Sequence, residues 1–188
     1  ATGYDGYLSL EIFNDQFRGG SPLSIAADGH RSLLYLGDQV KRAEPESALP
    51  MPSLPARSRV EGIAFIEFAL DEGDAAAFEA MLAVLGFARA ARHKSKNVTL
   101  YRQGDIRLVI NSEAHGFAGD AYVLHGPSAC AIGLLVDDAE AAHARAVGLG
   151  AEPFFQASAP GGIGMPAVHG IGGGLVYFLD RKGERADI

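Results

Sequence analysis

The sequence predicts an α+β chain in which two tandem βαβββ units follow a leading strand and helix. Two observations carry the tandem. Apolar runs of period two and stretches of helical period occur in the order strand, helix, three strands, and that order occurs twice. The punctuation repeats as well: Leu85-Gly86-Phe87 is answered by Leu149-Gly150-Ala151, and Leu108-Val109-Ile110 by Leu175-Val176-Tyr177. A third observation sets the leading pair apart. Residues 43–59 hold four prolines and no periodicity, which reads as a semi-rigid linker.

Residues 7–13, YLSLEIF, alternate, with Leu8, Leu10 and Ile12 on one face and Tyr7, Ser9, Glu11 and Phe13 on the other, as a strand would place them. A helix from about Pro22 to Arg42 follows, with Leu33, Leu36 and Val40 at helical spacing. One strand and one helix close no core. From Val60 the pattern is regular: VEGIAFIEFAL as a strand, then a helix capped by Asp74, carrying Phe78, Met81, Leu82 and Leu85 on one face and stopped by Gly86. ARAARHK, NVTLYRQ and IRLVIN are three short strands, with Gly104-Asp105 turning between the last two. After a loop, ACAIGLLV is a strand, Asp137-Asp138 cap a helix that ends at Gly150, and EPFFQ, GMPAVHG and GLVYFLDR supply three more strands. The expected divisions are residues 1–42, a linker at 43–59, and a domain at 60–188 with units at 60–113 and 128–181.

Composition excludes several classes of function. With 48% hydrophobic and 21% charged residues, the 188-residue chain has the make-up of a globular protein rather than a disordered one. A net charge of −7 argues against nucleic-acid binding, and the densest basic run, His93-Lys94-Ser95-Lys96, reads as a solvated turn. No apolar run approaches the roughly 20 residues that span a bilayer, so no membrane role is expected. The single cysteine, Cys130, sits in an apolar run and reads as a small buried hydrophobe, in keeping with a reducing, cytoplasmic setting. The chain opens Ala1-Thr2-Gly3 without a methionine, as either methionine removal or a start inside a longer protein would produce.

GIAFIEFA, HKSKNVTLYRQGDIRLVIN and HGPSACAIGLLVDDA resemble the N-terminal half of 4-hydroxyphenylpyruvate dioxygenase, a member of the vicinal oxygen chelate (glyoxalase-like) superfamily, over about residues 60–181. GYLSLEIFNDQFR with DGHRSLLYLGDQV resembles the last strand and helix of a sugar-phosphate-isomerase-like TIM barrel. Fused bacterial 3-dehydroshikimate dehydratases join those two parts in this order. The resemblance implies the C-terminal part of such a fusion. In it a barrel metal (Mg, Mn or Co) assists conversion of 3-dehydroshikimate to protocatechuate, and the module itself is non-catalytic. Its implied partners are the barrel and a dioxygenase-like C-terminal half, with homodimerisation through exposed sheet edges also open. Two other readings stay open: a fragment of a genuine 4-hydroxyphenylpyruvate dioxygenase, and a metal-free small-molecule binder with Phe65, Phe68, Tyr101 and Tyr177 around a cup.

In the dioxygenases the resemblance implies an iron held by two histidines, from the first strand of each unit, and a last-strand glutamate. Laid on this chain, those positions fall on Gly62, Ala131 and Tyr177, and the neighbours Glu61, Cys130 and Val176 do not restore a triad. No iron is therefore expected here, and no metal or cofactor is expected in this chain alone. Among the histidines, His115, His125 and His169 are the set that would make any adventitious metal site, but they read as polar loop and strand residues. His143 reads as an exposed helix residue, His93 as part of the basic turn, and His30 as a neighbour of the leading helix. The glycine runs PGGIG and GIGGG precede strands, not helices, so they read as turns rather than phosphate loops. No catalytic residue is assigned. The one metal candidate is Glu11, near the end of a barrel-like strand where such enzymes carry their chemistry. By resemblance it is a ligand in the complete barrel of the parent, and on its own a solvated or arginine-paired carboxylate.

Overall fold

The structure, a computed structural model, describes residues 4, 6–48, 50–51, 53–155 and 164–182. The chain divides into two compact units. One is Ala1–Leu54 with Gly148–Gly150, and the other is Pro55–Val147 with Ala151–Ile188.

The first unit is dominated by one helix, α1 (Pro22–Ala43), preceded by a 3₁₀ turn at Asp15–Gly19. Pro22 opens α1 where its missing N–H costs nothing, and Lys41 and Arg42 close it against the negative end of the helix dipole. Asp38 is buried and takes a forked pair of bonds from Arg42, at 3.0 Å to Nε and 2.9 Å to Nη2. The strand expected at residues 7–13 does not form. These residues are exposed and belong to no sheet, because alternation supplies a face but not the neighbouring strand that must satisfy the backbone.

The second unit holds the expected tandem. Its first half is β1 (Val60–Ala69), α2 (Glu72–Val84), β2 (Ala88–Arg92), β3 (Val98–Gln103) and β4 (Ile106–Asn111). A further helix, α3 (Phe117–His125), leads to the second half: β5 (Ser128–Val136), α4 (Ala139–Gly148), β6 (Pro153–Phe154), β7 (Ala167–His169) and β8 (Leu175–Leu179). The eight strands of the described residues form one sheet, ordered β2-β3-β4-β1-β5-β8-β7-β6. β1 and β5 are antiparallel at its centre, while β4 runs parallel to β1 and β8 parallel to β5. Exchanging the strands of one half for their counterparts maps this order onto itself, so the sequence repeat is also a repeat in space.

Helix ends follow the predicted chemistry with one shift. Gly86 and Gly150 both have positive φ, at 89° and 87°, and the next amides reach back to Leu82 O and Ala146 O, closing the two helices alike. Asp138 caps α4 by accepting from Ala141 N. The cap of α2 is Asp71 rather than Asp74: its Oδ1 accepts from Asp74 N at 2.7 Å, so the helix starts three residues earlier than expected. The α3 segment was expected as loop. The GIGGG run forms a 3₁₀ turn at Ile171–Gly173 between strands, as expected, whereas most of PGGIG lies outside the described residues.

The two faces of the sheet are covered differently. On one, α2 packs Ala75 and Leu82 against Leu70, Tyr101 and Ile110, and α4 packs Ala139 and Ala142 against Val136, Val168 and Phe178. On the other, Ala118, Phe117, Ala121 and Tyr122 of α3 join a cluster of Phe65, Ala69, Ala131, Leu175, Tyr177 and Leu179. Among the described residues no helix is long and apolar enough to cross a membrane.

Candidate functional site

The α3 face carries the polar groups that the core does not explain. Strand alternation puts Phe65, Glu67 and Ala69 of β1 on this face, beside Val109 and Asn111 of β4. Ladder pairing brings Ala131 opposite Glu67, and Gly133 opposite both Phe65 and Tyr177. The register slips between Glu67 and Phe68, leaving Cys130 as the extra residue of a bulge next to Ala131. Gly133 is needed for this packing: a Cβ there would fall 2.5 Å from Phe65 Cε1. The Phe65 ring instead lies across it, 5.8 Å from the Tyr177 ring.

Glu67 therefore places a carboxyl in an apolar setting. Asn111 Nδ2 donates to its Oε1 at 2.6 Å. Burial holds its pKa above the usual carboxylate range, partly offset by the Asn111 bond and by the positive charge of Lys96. The two neighbours respond in kind. Burial, then the charge of Glu67, pushes the Cys130 thiol up to about 12, and the same two causes raise the Tyr177 phenol. Tyr177 is 8% exposed. Among the described residues its hydroxyl has no hydrogen-bond partner, and Glu67 has none beyond Asn111.

The histidines do not gather. His115 and His125 are exposed at either end of α3, while His169 is half-buried on β7, edge-on to Phe117 and Phe154. His93 organises its turn as expected, with Nδ1 accepting from Ser95 N and Lys96 N. His143 departs from expectation: it packs against Phe178, and its Nε2 is buried without a partner, because it shares a face of α4 with Ala139 and Ala142. Glu11 is exposed outside any strand. Among the described residues no three His, Cys, Asp or Glu side chains group as a metal site.

The sequence profile of "Hydroxyphenylpyruvate dioxygenase, HPPD, N-terminal" matches residues 56–188. The chain belongs to this family. Relatives of the dioxygenase N-terminal family include the 3-dehydroshikimate dehydratase of Pseudomonas aeruginosa, 44% identical over 193 residues, covering 100% of this chain and 30% of that protein. The 4-hydroxyphenylpyruvate dioxygenase of Pseudomonas sp. is 40% identical over 127 residues, covering 68% of this chain and 35% of that one. A solved xylose isomerase-like TIM barrel/4-hydroxyphenylpyruvate dioxygenase fusion protein superposes with a TM-score of 0.85 at 42% identity, over 97% of this chain and 30% of that one. The methylmalonyl-CoA epimerase of Mycobacterium tuberculosis shares the fold, with a TM-score of 0.53 at 17% identity over 71% of this chain. The chain thus spans about 30% of the length of the dehydratase and fusion relatives.

Within this dioxygenase family frame, the positions expected to carry iron ligands elsewhere can be located. Ala131 and Tyr177 lie close together at the middle of the sheet. Gly62 does not join them, since it pairs with Leu135 four residues further along β5; the β1 residue facing Ala131 is Glu67. The aromatics expected around one cup are split: Phe65 and Tyr177 are on the α3 face, Phe68 and Tyr101 on the α2 face. Glu67 and Asn111 were missed from sequence, although a carboxylate in the middle of GIAFIEFAL, on a strand otherwise apolar there, was the available signal.

Proposed function

We propose that this chain is part of a fused protein that converts 3-dehydroshikimate to protocatechuate on a sugar-phosphate-isomerase-like barrel, and that the module itself is non-catalytic, supporting assembly or a dioxygenase-like half. One observation carries the reading. The dehydratase of P. aeruginosa aligns over the whole of this chain, including the first 55 residues that the dioxygenase N-terminal profile leaves out, whereas the dioxygenase of Pseudomonas sp. aligns over about two thirds. A genuine dioxygenase would have no use for the SLEIFND segment and α1.

In that parent, Glu11 is a ligand of a divalent ion, Mg, Mn or Co, whose oxygen donors come from several barrel strands. When bound, such an ion would supply Lewis-acid chemistry at the site that Glu11 would help to hold. The barrel and the dioxygenase-like half are the module's partners within one protein, and the exposed edge strand β2 gives a second copy somewhere to pair. The test is the whole protein, assayed with 3-dehydroshikimate and with 4-hydroxyphenylpyruvate. Dehydration of the first, lowered by at least an order of magnitude in Glu11→Gln, is expected. Iron-dependent consumption of the second, with the first untouched, would overturn the reading.

A further inference from the structure

We propose that the outward face of α2 is a self-association surface, on which a second copy of this chain packs its own α2 antiparallel, about a two-fold axis near Ala80. This goes beyond the proposed function and does not rest on it. The surface is distinct from the β2 edge.

The starting point is a helix that is apolar on both sides. Ala75 and Leu82 face the sheet, as a core requires. On the remaining surface Ala76, Ala77, Ala80, Met81, Ala83 and Val84 are all exposed, Met81 at 47% and Val84 at 88%. A surface helix ordinarily turns charged residues to water, and one that is apolar all round is ordinarily buried. Single exposed apolar residues need no explanation, but a contiguous patch marks an interaction site. The repeat supplies a control. Aligning Gly86 with Gly150 makes Arg145 of α4 the counterpart of Met81. Arg145 is buried and donates to Pro55 O at 2.8 Å. The chain thus covers that position on α4 with its own linker and leaves it open on α2.

Charge selects the occupant. The middle of the face carries none, and its alanines let a second helix approach closely. Charge sits at the two ends, with Glu72 in the first turn and Arg89 on β2, beyond the last turn. Both are exposed, and among the described residues neither forms an ion pair. Arg89 lies on the α2 side of the sheet, since it pairs across the ladder with Tyr101, which packs beneath the helix. The Tyr101 phenol responds to this flank: burial and then Glu79 of α2 raise its pKa, and Arg89 lowers it. Glu72 and Arg89 stand equally far along the chain from the Ala80-Met81 pair. An antiparallel copy crossing there brings Glu72 of each copy toward Arg89 of the other, twice by symmetry, and opposes the two helix dipoles. A parallel copy would set like charges side by side. The carboxylates of Glu72 and Glu79 beside the patch disfavour an anionic membrane as its cover.

One helix face with its flanks is small beside the roughly 1,200–2,000 Å² of a standard interface, so the dimer should be weak, with a Kd on the order of 10–100 µM. The experiment is analytical ultracentrifugation of the 188-residue chain from about 1 µM to about 1 mM. A reversible monomer–dimer equilibrium is expected. Ala80→Glu places a charge at the crossing point, on an exposed helical position that accepts it, and should abolish the dimer across this range. Glu72→Arg and Arg89→Glu should each weaken association about tenfold. Mixed in equal amounts, those two variants should associate about as tightly as the wild type, because both end contacts of the mixed dimer again join opposite charges. A chain that stays monomeric to about 1 mM overturns the proposal. So does a dimer that Ala80→Glu leaves intact, which would place the contact elsewhere, as on the β2 edge. A mixture no tighter than its two components overturns it as well. The mixing test leaves the apolar face untouched, so an Ala80→Glu chain that fails to fold does not remove it. A negative result leaves the proposed parentage standing, because that rests on the alignment of the whole chain.

Discussion

The side-chain amide of Asn111 donates to Glu67 Oε1 at 2.6 Å, tying the last residue of β4 to the C-terminal part of β1 on the face that α3 covers. The bond compensates a carboxyl held where water solvates it poorly. Removing the donor leaves the carboxyl without a protein partner, which typically costs about 1–3 kcal/mol. Asn111→Ala should therefore lower unfolding stability by that amount in urea titrations. Glu67→Gln, whose amide oxygen still accepts from Asn111, should cost much less. Equal losses in the two variants would mean that the bond contributes nothing specific.

The same carboxyl gives stability a particular pH dependence. Its pKa is raised in the folded chain above the ordinary 4.5. Between the two values the folded state holds a proton that the unfolded state has lost. Glu67's contribution is therefore fully present below 4.5 and is lost as pH rises through the raised value. Asp71 and Asp138 have the opposite sign: both are lowered, so their contributions are present above 3.8 and lost as pH falls. Subtracting the stability profile of Glu67→Gln from that of the wild type cancels the shared terms. The difference should fall with rising pH above 4.5, and a flat difference would show that Glu67 titrates normally.

Much of this architecture was legible in sequence because helix ends and strand periods are local. Leu85-Gly86-Phe87 and Leu149-Gly150-Ala151 read as matching stops, and both glycines have positive φ in the structure. What failed was non-local. Residues 7–13 alternate correctly, but alternation measures the two faces of a strand and says nothing of the ladder it needs. FAGDAYVLH of α3 hid because a nine-residue, largely apolar helix has almost no polar face to mark its period. Glu67 looked like one carboxylate among apolar neighbours; only the β1–β5 register puts it opposite Ala131. His143 was readable: Ala139, Ala142, His143 and Ala146 share one helical face, which turns it inward.

Gly133 should be intolerant of even one methyl. Its added Cβ would lie 2.5 Å from Phe65 Cε1 and 3.1 Å from Leu179 Cδ1. Neither ring nor leucine can yield freely in a cluster where Leu179 is 2% exposed. Gly133→Ala should cost about 1–3 kcal/mol, the usual range for overpacking. Trimming the obstacle tests the cause. In the Phe65→Leu background the same substitution should cost distinctly less, and a double-mutant cycle by urea unfolding measures the coupling. Additive losses would place the strain elsewhere.

Tyr122 fastens α3 to the start of α2. Its hydroxyl lies 2.8 Å from Asp71 Oδ2 and 2.9 Å from Asp74 Oδ2, so one proton serves two carboxylates. Asp71 is held below the usual carboxylate range first by the Asp74 amide and then by this hydroxyl. Tyr122→Phe removes the second support and keeps the ring. Two outcomes are expected. The Asp71 pKa moves up toward 3.8, so the stability that Asp71 contributes above that value is lost at a higher pH on acidification. Amides of α3 exchange faster with deuterium than those of α2, because only α3 loses its polar tether while α2 keeps its Asp71 cap. If exchange in α3 stays at the wild-type rate, apolar contacts of Phe117, Ala118 and Ala121 alone hold the helix, and the hydroxyl is not its latch.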